Sequence, residues 1–104
     1  MMEPVRDEVY KMVLDNLHVT HEVDESTERR IKNEISSGIS YIKKYCNPRA
    51  DFAPGTQFGG MLCEYVLRAE SGAAETFYGD FSEEITATRM EHETQEYAEA
   101  MGYA

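Results

Sequence analysis

Apolar residues recur every three or four positions along most of this chain, and the strict alternation of a half-buried strand is nowhere sustained. The pattern predicts helices joined by short polar links. Val5, Val9, Met12, Val13 and Leu17 make one apolar face of a first helix. That helix is expected to open near Pro4, with Asp7 and Glu8 favouring the positive end of its dipole. His18 to Val23 reads as a polar link. A second helix is more strongly marked: Asp24 suits the N-cap, and Glu25 and Glu28 fall in the first turn. Ile31, Ile35, Ile39, Ile42 and Cys46 then step along one stripe. Lys43 and Lys44 suit the negative end, and Asn47-Pro48 stops the helix.

Residues 48–55 (PRADFAPG) form a connecting loop stiffened by two prolines. A third helix is expected from about Thr56 through Phe58, Leu62, Tyr65, Val66 and Arg68 toward Ser71. Gly59 and Gly60 weaken its first turn and allow close approach of a neighbouring backbone. They are no phosphate loop, because no lysine follows and no strand precedes. Gly72 punctuates, Ala73 to Phe81 resumes helix in a short piece, and Ser82 can cap a final helix. Its apolar stripe of Ile85, Met90, Tyr97 and Met101 is sparse, as in a helix that bridges solvent or packs on a neighbour. The expected fold is all-α: a small bundle of about four helices in one domain, residues 1–104, with the second and third as the core pair.

Composition adds three constraints. A chain of 104 residues buries about two-thirds of its unfolded surface, so its stability margin is thin and assembly would supplement it. Its 41% hydrophobic content, with seven Tyr and four Phe, argues for a folded chain. A net charge of −10 disfavours unaided or sequence-specific binding to nucleic acid, which needs clustered Lys and Arg. Beyond residue 50 the only Lys or Arg side chains are Arg68 and Arg89, so one end of the molecule should be electronegative. Glu91, Glu93 and Glu96 are the candidate electronegative face, which either solubilises the chain or meets a basic partner. Charged residues Glu3, Arg6, Asp7 and Glu8 leave no room for a signal peptide, and no membrane span is expected.

Candidate chemistry is scarce. Cys46 and Cys63 have no metal-ligand spacing and read as small buried hydrophobes. His18 and His21 sit three apart in a link, where exposed histidines are the simpler reading than a metal pair. Glu22, Glu25 and Glu28 repeat at three, as do Glu93, Glu96 and Glu99. Helical nucleotide pyrophosphohydrolases hold magnesium with such ExxE pairs, but they also need a later ExxD, which this chain lacks. No catalytic residue, metal site or cofactor is expected.

The chain resembles the phage head–tail connector proteins, the head-completion adaptors also described as DNA-packaging proteins of tailed phages and prophages. Three passages carry the likeness. The run from Ile31 to Cys46 (IKNEISSGISYIKKYC) is similar to the family's amphipathic helix ending in an aromatic–Cys or similar pair. Met61 to Gly72 (MLCEYVLRAESG) resembles its third helix. Phe77 to Ile85 (FYGDFSEEI), followed by Arg89-Met90-Glu91, looks like variants of Gram-positive bacteria and their prophages. The likeness spans nearly the whole chain but rests on helix composition, and Gly59-Gly60 departs from it. It implies a non-catalytic subunit of a homo-oligomeric ring under the portal protein. Such a ring extends the DNA channel and docks stopper and tail proteins, at the head–tail junction of the virion after assembly in the host cytoplasm.

An acidic channel lining would repel DNA phosphates and let DNA slide. The expected partner contacts are Pro48, Arg49, Asp51, Phe52 and Pro54 of the stiff loop, which costs little entropy to order, together with Tyr97 and Met101. Core packing competes for the apolar ones. A rival reading is a small acidic regulator, an antitoxin or a DNA-mimicking inhibitor; a metal-dependent hydrolase is a weaker third.

Overall fold

The computed structural model describes residues 5–19 and 21–102. Pro4, where the first helix was expected to open, and Thr20 of the link that follows it lie outside the described residues. The fold is all-helical, with no strand among the described residues: α1 (Asp7–Asn16), α2 (Glu25–Tyr45), α3 (Gln57–Glu70), a 3-10 turn (Ala74–Thr76), α4 (Phe77–Asp80) and α5 (Ser82–Ala100). Among the described residues the helices number five rather than about four, because the short piece before α5 forms an α-helical turn of its own.

α2 and α3 make the most extensive helix–helix contact. α2 begins where Asp24 accepts the Thr27 N–H at 2.7 Å, a bond that holds the Asp24 carboxyl below its ordinary pKa. Ile31, Ile35, Ile42 and Cys46 are buried, while Ile39 is half-buried. The stripe includes a position the apolar pattern did not mark. A Cβ on Gly38 would stand 2.7 Å from Leu62 Cδ1 and 2.8 Å from Tyr65 Cδ1, so the helices approach through a missing side chain.

α1 lays Val9 and Val13 into the core and packs on α3. It ends at His18, whose left-handed conformation (φ 59°) lets the Val19 N–H reach the Leu14 carbonyl at 3.0 Å. That closure stops the helix before His18 and His21 could share a face. Gly72 (φ 73°) closes α3 in the same manner, with the Ala73 N–H donating to the Arg68 carbonyl at 2.8 Å. Arg68 then ties α3 to the segment beyond: it pairs with Glu64 at 2.9 Å and Asp80 at 3.2 Å, and its guanidinium lies 4.9 Å from the Phe81 ring centre.

Phe77 plugs the body. It is 1% exposed, meets Tyr41 and Tyr65 edge-on at 5.6 and 5.4 Å, and stacks on Phe81 at 4.8 Å. α5 follows with Phe81 at its N-cap; Ser82 is the first helical residue and not the cap. α5 packs on α2 and α4, and the molecule is elongated, 51 × 27 × 26 Å.

Candidate interaction surfaces

The final helix has two faces with opposite fates. Ile85 and Thr88 are buried, and the Thr88 hydroxyl donates to the Glu84 carbonyl at 2.7 Å. His92 follows on the same side, its side chain 13% exposed and 3.1 Å from Glu96. At about 100° per residue, Met90, Tyr97 and Met101 lie on the opposite side. They are 60%, 63% and 53% exposed. The expected single stripe therefore divides: Ile85 turns to the core and the other three turn to solvent. Met90, Thr94, Tyr97 and Met101 are spaced four, three and four residues apart, as in a helix seam made for a partner. Met90, Glu93, Thr94 and Tyr97 line a shallow hollow of about 260 Å³.

Glu91, Glu93 and Glu96 are all exposed, but they do not share a face. Two residues of helix separate Glu91 from Glu93 by about 160° around the axis. Glu93 borders the apolar ridge, Glu96 lies nearer the side of Ile85 and His92, and Glu91 lies on the opposite flank.

A second concave surface lies across α2 and α3. Its lining comprises Ser36, Ser37, Ser40, Tyr41, Lys44, Tyr45 and Tyr65, around about 410 Å³. The tyrosines are half-buried and mutually supported, Tyr41 lying 4.7 Å from Tyr45 and 5.8 Å from Tyr65 between ring centres. Lys44 places its ammonium 5.2 Å from the Tyr45 ring centre. Among the described residues no carboxylate lines this groove.

The proline loop is stiff and outward-facing, with one exception. Pro48, Arg49, Asp51 and Pro54 are exposed, whereas Phe52 is 4% exposed and belongs to the core. Phe52 packs 6.4 Å from Phe58, so burial of its ring removes it from the contact surface expected of it. The Asn47 side chain accepts the Arg49 N–H at 2.8 Å, and Asp51 accepts the Ala53 N–H at 3.0 Å. Arg49 reaches Glu99 of α5 at 3.9 Å, and Asp51 lies 3.8 Å from Arg6; both pairs are exposed and contribute little, about 1 kcal/mol or less.

Sequence reasoning missed one cluster altogether. Arg30 forms two bonds with Glu70, 3.2 and 3.0 Å, joining α2 to α3 across 40 residues of chain. Glu34 sits beside them, and its Oε2 is buried with no hydrogen-bond partner among the described residues. Burial, the hydrogen bond its protonated form can donate to Glu70, and the charge of Glu70 push Glu34 up to about 7. Arg30, with help from the bond to Glu34, holds Glu70 below the ordinary range.

Protonation thus turns an orphaned acceptor into a donor toward Glu70. The folded state holds this proton more tightly than the unfolded chain, whose carboxyl titrates near 4.5. The stabilisation is complete below about pH 4.5 and is lost as pH rises through about 7. Discounted for partial exposure, it amounts to about 1–2 kcal/mol. Glu34→Gln should be more stable than the wild type by that amount at pH 8 and indistinguishable at pH 4.5. Denaturant titrations of both proteins across this range check it; equal slopes against pH would exclude the shared proton.

Neither thiol is placed for nucleophilic work. Cys46 and Cys63 are unpaired and buried, and burial pushes both thiols above their ordinary pKa. Among the described residues no group of three or more His, Cys, Asp or Glu could hold a metal ion, and no helix is long and apolar enough to cross a membrane. Comparison of the chain with protein-family models, with curated proteins and with solved structures matches nothing in any of the three.

Proposed function

We propose that this chain is a structural adaptor of the head–tail connector type from a tailed phage or prophage. It acts as a homo-oligomeric ring under the portal protein, extending the DNA channel and docking stopper and tail proteins without catalysis. The observation that carries the reading is the outer face of α5. Three large apolar side chains stand more than half exposed on the side turned away from the molecule's own body. A monomer of 104 residues with a thin core gains nothing from exposing them, whereas a subunit buries them on assembly. The hydrogen-bonded proline loop gives a second rigid surface for a neighbouring virion protein.

The carboxylates of α5 support a slippery channel wall only where they face the bore. Reversal of Glu91 and Glu96 to Lys, with Glu93 kept, should then slow DNA passage while leaving ring assembly intact. Particles assembled with the double variant, assayed for DNA ejection, decide it; unchanged ejection would remove the channel role. Portal, capsid and tail genes flanking this one, and rings seen by native mass spectrometry with the cognate portal, are the expected results for the adaptor itself.

The elongated shape and acidic final helix also favour a second reading, a DNA-mimicking regulator. Such a protein would work as a monomer or dimer and bind a basic DNA-binding protein in competition with DNA, which a ring-forming adaptor does not.

A further inference from the structure

We infer that the outer ridge of α5 in one copy seats in the tyrosine–serine groove between α2 and α3 of the next copy, joining subunits head to tail. The inference rests on the ring-forming reading above and specifies its contact.

Charge selects the pairing. The chain carries a net −10, yet the groove is lined without a carboxylate and offers the Lys44 ammonium. The ridge carries Glu93 in its own hollow. Two ridges placed together would set carboxylates against each other at an apolar seam, whereas ridge in groove pairs Glu93 with a cation. The apolar chemistry also matches. Met90 and Met101 present flexible thioethers suited to the edges of Tyr41, Tyr45 and Tyr65. The hydroxyls of Ser37 and Ser40 are adaptable partners for Tyr97 and Thr94.

Geometry makes the contact intermolecular. The inner face of α5 is held against its own body through Ile85 and Thr88, so the ridge points away from it. Two different surfaces of one molecule that match each other generate head-to-tail assembly, which closes into a ring when the rotation per subunit permits.

The test is a concentration series of amide NMR spectra of the intact chain, from about 0.05 to about 2 mM, a range that registers contacts as weak as millimolar. Amides of α5 from Met90 to Met101 and of α2 from Ser36 to Tyr45 should shift together. Met90→Ala/Tyr97→Ala alters only the exposed ridge, and Ser40→Glu/Lys44→Glu alters only exposed groove positions. Each double variant alone should lose the shifts, a weakening of at least about tenfold. An equimolar mixture should regain them, because one intact ridge meets one intact groove.

Shifts confined to the ridge, unaffected by the groove variant, would mean ridge-to-ridge pairing and overturn the inference. No concentration dependence up to the limit would overturn it as well. Rings on the cognate portal that form equally with both variants would remove this contact and leave the adaptor reading standing. Ridge-to-groove shifts without any portal-associated ring would do the reverse.

Discussion

Phe77→Ala should cost about 3–5 kcal/mol, the range for deleting a fully buried aromatic ring. The ring contributes more than its own area. It touches Tyr41 of α2 and Tyr65 of α3 edge-on and stacks on Phe81 at the entry to α5. α5 itself buries only Ile85 and Thr88, so beside its direct contact with α2 its attachment draws on this plug and on the neighbouring Arg68–Asp80 pair. Native domains retain only about 5–15 kcal/mol in all, so the variant should melt more than about 12 °C lower, if it folds at all. Hydrogen exchange gives the sharper readout. Amides of α5 should lose protection before those of α2 and α3, because the ring joins the two parts. A uniform loss across all helices would mean that α5 is held by other contacts.

The legible parts of the fold were those whose signals are local. Asp24 caps α2, the isoleucines repeat with the helical period, and Asn47-Pro48 ends the helix; each acts within a few residues, so the chain alone displays it. α3 likewise opens one residue past Thr56, whose hydroxyl accepts the Gly59 N–H at 3.0 Å. What sequence does not show is which side of a weakly amphipathic helix will face inward. In α5, Ile85 competes with Met90, Tyr97 and Met101, and the side turned inward is the one that meets α2 and α4, partners the helix's own pattern does not contain. Gly38 was silent for a related reason: a missing side chain has no hydropathy, and its value depends on Leu62 and Tyr65 of another helix. The Arg30–Glu34–Glu70 cluster joins partners 40 residues apart, and no spacing rule reaches that far.

The interaction surfaces divide along the same line. Tyr97 and Met101 were readable as poorly buried because their own helix has too few apolar neighbours to hide them. Phe52 reads identically in sequence, in a loop between prolines, yet the loop folds back and places its ring in the core beside Phe58. The groove could not be read at all. Ser37, Ser40 and Lys44 look like ordinary solvated helix positions, and only the arrival of Tyr65 from α3 makes them one wall of a concavity.

Alanine at Gly59 and alanine at Gly60 should move stability in opposite directions, although the residues adjoin in one helix. Gly60 has open space where a Cβ would stand, so Gly60→Ala should gain about 0.5–1 kcal/mol from helix propensity alone. At Gly59 the added carbon would lie 2.6 Å from the Ala53 carbonyl oxygen and 3.2 Å from that of Phe52. These are backbone atoms and cannot rotate aside. The Ala53 carbonyl also accepts the Thr56 hydroxyl at 2.6 Å and the Thr56 N–H at 3.2 Å, so moving it disturbs the cap of α3. Moving the Phe52 carbonyl drags at a ring held in the core. Overpacking of this kind costs about 1–3 kcal/mol, which outweighs the propensity gain. Thermal melts of the two single variants should therefore fall on either side of the wild type, with the Gly59→Ala shift the larger. Two upward shifts would show that the loop yields freely to α3, and the rigidity that qualifies residues 48–55 as a docking surface would be lost with it.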